Sequence, residues 1–280
     1  MILDIFFKNS KKCIILGCSK KKIGMKKIIC SLFAAVLLAL PLASQTKVIA
    51  HRGFWKTEGS AQNSIAALEK AADAQVYGAE FDVWITRDGV AVINHNKDIN
   101  GIVIEKTDYE DLKGEKLSNG ETIPTLKEYL KEGARHRKMK LILELKDHSS
   151  DKNDMRAVEI VAELVKDSKA YRRGQMEFIS FNYEMCKKFA ELFPDVPVAY
   201  LNGDKSPSAL KKVGIDGLDY HKTIMAVRKD WIREAHNLGM TVNVWTVNKD
   251  ASILKMKEIG VDFITTDHPV RAKELLEQGE

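Results

Sequence analysis

From Lys47 onward the chain alternates short apolar runs with amphipathic stretches of helix length, eight times over. Few architectures accept that order. Repeated strand-then-helix units make parallel strands joined by crossovers, and a parallel sheet has both faces covered by its helices. The pattern predicts strands at 48–51, 79–83, 141–146, 177–181, 198–201, 217–220, 242–247 and 263–266. Eight such units without a Pro-, Gly- or Ser-rich linker predict a single α/β domain over residues 45–280, a closed (β/α)8 TIM barrel rather than an open doubly wound sheet. Helix starts carry their own signals: Ile65, Leu68 and Ala72 share one face of a stretch from Asn63 to Ala74, Thr125 and Glu128 form a capping box after Pro124, Asp250 is placed to cap, and Pro269 opens the last helix.

Charge has to be located before it is interpreted. The chain carries a net +5, but residues 1–44 hold eight Lys and one Asp, which leaves 36 basic against 38 acidic side chains in the remainder. A general nucleic-acid-binding surface therefore loses its support. The leader reads as a processing segment: Met25-Lys26-Lys27, an apolar run from Ile28 to Leu42, then Ala43-Ser44-Gln45. That run is too short to span a bilayer comfortably. We expect a signal peptide over residues 25–44, cleavage near Ala43 or Ser44, an exported mature protein with no stable membrane span, and an upstream extension in residues 1–24. Cys13, Cys18 and Cys30 lie in the leader, so Cys186 stands alone beyond it and forms no intrachain disulfide.

One piece interrupts the repeat. The run from Val83 to Ile93 holds Asp88-Gly89 between β-rich segments, which predicts a β-hairpin insertion after the second strand. With Asp88-Gly89 as a two-residue turn, Asp82 would face His95. In a parallel barrel the chemistry sits at the C-terminal strand ends, where this chain has His51-Arg52-Gly53, Glu80 with Asp82, and Glu144 with Lys146. The i, i+2 spacing puts each acidic or mixed pair on one strand face. Three converging carboxylates repel one another unless a cation neutralises them, and an all-oxygen set suits Mg²⁺ or Ca²⁺. An ion-pair network through Lys146 and Arg52 is the alternative. His51 and His95 can both reach that centre and supply a general base and a general acid, while Arg52 and Lys146 offer charge for an oxyanion such as phosphate. Trp245 and Tyr220 are candidates for a wall against the substrate. His136, His148 and His236 read as surface residues, and Cys186 as packed.

Taken in order, His51-Arg52-Gly53, Asn63-Ser64, Glu80-Phe81-Asp82-Val83, Thr86-Arg87-Asp88-Gly89 leading to His95, Leu143 to Lys146, Val244 to Asn248 and Thr265-Thr266-Asp267-His268-Pro269 resemble the glycerophosphodiester phosphodiesterase family. The resemblance spans most of residues 48–270. It implies a distorted TIM barrel, a divalent metal (Mg²⁺ or Ca²⁺) on Glu80, Asp82 and Glu144, acid/base roles for His51 and His95, phosphate contacts from Arg52 and Lys146, and hydrolysis of a glycerophosphodiester to an alcohol and sn-glycerol 3-phosphate. In the mechanism usual for the family, the neighbouring glycerol hydroxyl attacks phosphorus and water opens the cyclic phosphate. Three segments depart from the pattern: Gln62-Asn63-Ser64 where the family has Glu-Asn-Thr, His95-Asn96 where it has His-Asp, and residues 97–105 where it is rich in Arg and Thr. They put the leaving alcohol in question rather than the reaction. Competing expectations are a lysophospholipase D or sphingomyelinase D-like enzyme, disfavoured by a charged segment 97–120 poor in aromatics, and a non-catalytic glycerophosphate- or carbohydrate-binding barrel.

Overall fold

The structure, a computed structural model, describes residues 45–278. The leader and its expected signal peptide lie outside the described residues. Eight parallel strands close into a ring: β1 (Lys47–Ala50), β2 (Gly78–Ile85), β6 (Lys140–Leu145), β7 (Met176–Ser180), β8 (Val198–Tyr200), β9 (Gly217–His221), β10 (Thr241–Trp245) and β11 (Phe263–Thr266). β11 pairs with β1, and β1 with β2, which closes the barrel. All eight expected strands are present within a residue or two of their expected ends. The alternation of side chains along each strand explains the core. Ala79, Phe81 and Val83 on β2, and Leu141, Leu143 and Leu145 on β6, pack outward with the helices in the main apolar cluster, and the intervening residues face the barrel interior.

The capping box forms: the Thr125 hydroxyl accepts from the Glu128 amide at 3.3 Å while the Glu128 carboxylate accepts from the Thr125 amide at 2.9 Å. Pro269 opens the helix Pro269–Glu277 as expected. The helix expected from Asn63 begins at Ile65, with Ser64 accepting from the Ala67 amide as its cap. Asp250 is corrected. It is the first residue of its helix, the cap position is Lys249, and the Asp250 carboxylate pairs with Arg271 at 2.6 Å.

The hairpin is also corrected. β2 pairs antiparallel with β3 (Ala91–Ile93) as Val83 opposite Ile93, Trp84 opposite Val92 and Ile85 opposite Ala91. The Thr86 amide donates to the Val90 carbonyl at 2.9 Å and the Gly89 amide to the Thr86 carbonyl at 3.0 Å, with Gly89 at φ +92°. This is a three-residue loop ending in a left-handed glycine, wider than a two-residue turn. Side chains favour it: the Thr86 hydroxyl donates to Asp88 at 2.5 Å and accepts from the Val90 amide at 2.9 Å. The extra residue slips the register by one, so Asn94, whose amide donates to the Asp82 carbonyl at 3.0 Å, stands opposite Asp82 in place of His95. The chain after the hairpin, including the small strands β4 (Asp98–Ile99) and β5 (Ile102–Val103), gathers an apolar cluster of its own from Trp84, Val92, Ile99, Ile104, Leu112 and Ile123. Glu121 from this insertion accepts from the Ile65 amide at 2.9 Å and the Ala66 amide at 3.3 Å, fastening it to the N-terminus of the helix Ile65–Asp73.

Candidate active site

The turn after β1 sets the geometry. Arg52 and Gly53 both have left-handed backbone, at φ +55° and +74°. A Cβ on Gly53 would lie 2.7 Å from the Ala67 Cβ and 2.8 Å from the Ala67 carbonyl carbon, so only glycine fits against that helix. The tight turn aims the Arg52 backbone amide at Glu80 Oε2, 2.7 Å away, and brings Asn63 under Asp82, with Asn63 Nδ2 donating to Asp82 Oδ2 at 2.8 Å.

Glu80, Asp82 and Glu144 face one another inside the barrel mouth, all three buried, with ligand atoms within 4.8 Å of each other. Lys146 Nζ lies 2.7 Å from Asp82 Oδ1 and 2.5 Å from Glu144 Oε1, and Arg52 Nε is 3.8 Å from Asp82 Oδ2. The ion-pair network is therefore real but incomplete. Glu80 Oε1 is buried with no hydrogen-bond partner among the described residues, which is costly for a carboxylate oxygen unless something positive meets it. Burial and the charges of Asp82 and Glu144 push the Glu80 carboxyl well above the ordinary range, and burial with Asp82 pushes Glu144 up to about 7. Burial works against ionising Asp82 too, but Lys146, His95 and Asn63 outweigh it and hold Asp82 low. For Lys146 the two carboxylates more than offset burial and raise it above the ordinary lysine value. Three clustered carboxylates, one with an orphaned oxygen, can hold a divalent metal ion.

His51, Arg52, Glu80, His95, Glu144 and Lys146 line one cavity of about 130 Å³, whose other side is Ile179, Phe181, Leu201 and Trp245. His95 arrives there from the stretch beyond β3, not through the hairpin ladder. Burial lowers its imidazole pKa, with Asp82 opposing and Lys146 and Arg52 adding to the effect. Trp245 belongs to the apolar wall as expected, edge-on to Phe181 at 5.5 Å, its indole N–H donating to the Asp219 carbonyl at 2.8 Å. Tyr220 does not. It is fully buried, its hydroxyl donates to the Lys205 carbonyl at 2.8 Å, and its ring sits 6.1 Å from Trp231 on the helix side of the sheet. Alternation along β9 is the reason: the inward positions are Asp219 and His221.

Residues 51–271 match the Glycerophosphoryl diester phosphodiesterase family. The chain belongs to that family. A glycerophosphodiester phosphodiesterase structure from Parabacteroides distasonis is 45% identical with a TM-score of 0.82, covering 84% of this chain and 98% of that one. An Oleispira antarctica phosphodiesterase in complex with the product sn-glycerol-3-phosphate is 25% identical with a TM-score of 0.69, over 83% of this chain and 97% of that one. A Bacillus altitudinis glycerophosphodiester phosphodiesterase is 29% identical over 254 residues, 83% of this chain and 99% of its own.

Two departures of this phosphodiesterase from its family pattern prove to touch the site. Gln62 accepts from Arg52 Nη1 at 2.6 Å, and Asn96 Oδ1 lies 2.9 Å from His95 Nδ1. The site also includes residues beyond those singled out from the sequence. Asp267 lies 2.7 Å from His51 Nδ1. Asp219, on the cavity lining, accepts from Asn243 at 2.8 Å, and burial pushes its carboxyl up to about 7. His148, expected at the surface, is instead a buried ring 5.2 Å from Trp84 whose Nε2 accepts from the Ile85 amide at 3.1 Å. His136 and His236 keep partial or full exposure, and Cys186 is buried as expected.

Proposed function

We propose that this phosphodiesterase hydrolyses glycerophosphodiesters to an alcohol and sn-glycerol 3-phosphate by acid/base catalysis between His51 and His95. The observation that carries the reading is the convergence of two imidazoles, two cationic side chains and the carboxylates of Glu80 and Glu144 on one cavity of about 130 Å³, with Asp82 completing the buried acidic triad beside them. Arg52 and Lys146 hold the non-bridging phosphoryl oxygens. His51 takes the proton of the neighbouring glycerol hydroxyl as its oxygen bonds to phosphorus. His95 donates a proton to the departing alkoxide as its P–O bond breaks, and the two rings exchange roles when water opens the cyclic phosphate. When bound on Glu80, Asp82 and Glu144, Mg²⁺ or Ca²⁺ would neutralise phosphoryl charge. The wall of Ile179, Phe181, Leu201 and Trp245 keeps water from the far side and gives the glycerol carbons an apolar seat.

A lysophospholipid substrate would call for an apolar, membrane-facing entrance. Among the described residues the large apolar side chains left exposed are Val227, Leu254 and Val270, none of them in segment 97–120, and no helix is long and apolar enough to cross a membrane. A product assay on glycerophosphocholine, glycerophosphoethanolamine, glycerophosphoinositol and lysophosphatidylcholine, each with Mg²⁺, Ca²⁺ or EDTA, tests the proposal. We expect sn-glycerol 3-phosphate from the first three and little turnover of the fourth. Preferred cleavage of lysophosphatidylcholine would favour the lysophospholipase D reading, and binding without any product the non-catalytic one.

Export is part of the same proposal, resting on the charged, apolar and small-residue order of residues 25–44. The mature protein is expected to begin near Ser44 or Gln45 in a periplasmic or extracellular fraction. Amino-terminal sequencing of the native protein decides it, and an intact Met25 in a cytoplasmic fraction rules export out.

A further inference from the structure

We propose that Asp267 is a positioning residue that fixes His51 in the tautomer protonated at Nδ1, leaving the Nε2 lone pair to take the proton of the attacking hydroxyl. The inference rests on the reading of His51 as a proton carrier and adds which nitrogen does the work and what enforces it. Asp267 stands just beyond β11, and four donors converge on its carboxylate. Oδ1 lies 2.7 Å from His51 Nδ1 and 3.2 Å from Trp55 Nε1. Oδ2 accepts from Asn248 Nδ2 at 2.7 Å and lies 3.3 Å from Lys56 Nζ. Asn248 is itself held, its Oδ1 accepting from the Asp267 amide at 2.9 Å and from the Thr266 hydroxyl at 3.0 Å.

The chemistry of these groups removes the usual ambiguity about an imidazole. An indole N–H and an ammonium can only donate, so the carboxylate that meets them is an acceptor on both oxygens. Against burial, the contacts with His51, Asn248 and Lys56 hold Asp267 well below the usual carboxylate range, so it is ionised at neutral pH. A ring nitrogen 2.7 Å from an ionised oxygen carries the hydrogen. In a neutral imidazole the other nitrogen is then bare, and no hydrogen bond within the described residues occupies His51 Nε2, in a residue that lines the cavity. His95 is backed differently. Its Nδ1 meets the neutral amide of Asn96. A carboxylate behind His51 stabilises the imidazolium formed when that ring gains a proton, whereas Asn96 offers His95 no such charge, which suits a ring that must give its proton up.

The test compares Asp267→Asn, Asp267→Ala and His51→Ala, read by kcat, KM, bound metal and ¹⁵N NMR of the His51 ring nitrogens. In Asp267→Asn the side-chain oxygen should turn to Lys56, whose charge demands an acceptor, and the amide N–H should turn to His51, forcing the hydrogen onto Nε2. We expect a loss of roughly 10²-fold or more in kcat, towards the ~10⁴-fold of the same change behind a serine-protease histidine, at least as large as in Asp267→Ala. KM and metal content should be nearly unchanged, and the protonated nitrogen should switch from Nδ1 to Nε2. A lost kcat with an unchanged tautomer would make Asp267 merely structural and overturn the proposal, as would turnover within a few-fold of wild type. Should the variants fail to fold, the wild-type spectrum still decides, because a bare Nδ1 overturns the assignment. Full activity in His51→Ala would instead remove His51 from the reaction, a failure of the proposed function distinct from any result at Asp267.

Discussion

Alanine in place of Glu80, Asp82 or Glu144, one at a time, is expected to cut turnover by roughly 10³-fold or more, the equivalent of losing several kcal/mol of charge stabilisation. The reason lies in how the triad is built. Each acid is buried, Lys146 satisfies only two of the three, and Glu80 Oε1 has no partner at all among the described residues. Two remaining carboxylates bring less charge and fewer oxygens to a hard cation, and hold it more weakly. EDTA should abolish activity of the wild type, and Mg²⁺ or Ca²⁺ should restore it. Calorimetric titration with either ion should also depend on pH in a defined direction. Glu144 sits near 7 and Glu80 well above its ordinary value while the three charges face one another, so the incoming ion displaces protons, and binding should tighten as pH rises and weaken below about 7. Undiminished turnover by protein shown to be free of metal in excess EDTA would sink the assignment.

The second large effect concerns the histidines. His51→Ala and His95→Ala should each lower turnover by about 10²–10⁴-fold, the usual contribution of a positioned proton carrier, with metal affinity nearly unchanged. The leaving group separates the two roles. A ring that only protonates the departing alcohol becomes dispensable when that alcohol is p-nitrophenol, so glycerophospho-p-nitrophenol should rescue His95→Ala and leave His51→Ala inactive. Rescue of the opposite variant would exchange the roles, and full activity in either would remove that residue from the mechanism. Burial lowers the His95 pKa, and an acid works only while protonated. The alkaline limb of the kcat/KM profile should therefore fall on the acid side of an ordinary histidine, and Asn96→Asp should move it upward. An alkaline limb that stays in place in Asn96→Asp would argue that another group sets it.

Much of this was legible because two periodicities carry it. Strand-then-helix repetition predicts the barrel, and the i, i+2 rule places Glu80 with Asp82 and Glu144 with Lys146 on inward faces, as found. The same rule applied to β9 turns Tyr220 outward and Asp219 inward to the cavity lining, so this part of the site is legible in the sequence too. The hairpin is different. Asp88-Gly89 marks a turn but does not say how many residues it spans, and the choice of three depends on bonds from Thr86 and Asp88 that only the folded loop reveals. Asp267 was legible as part of a run but not as a partner, because the distance from His51 to Asp267 along the chain hides their contact across the β1–β11 seam. His148 lies in a loop, where solvent is the natural expectation, and is buried because the Ile85 amide needs an acceptor.

The insertion's separate apolar cluster has a consequence for how such an enzyme can change. His95 comes from a stretch of chain whose packing rests on Trp84, Val92, Ile99, Ile104, Leu112 and Ile123, while His51, the carboxylates and Asp267 are set by strands of the barrel itself. Mutations that remodel the loop therefore draw on a stability reserve of their own and leave the parallel sheet intact. Lineages that keep His95 in place can exchange the rest of this segment and inherit the phosphoryl chemistry untouched. Residue differences among relatives should accordingly accumulate between Lys97 and Gly120 faster than along β1, β2 or β6.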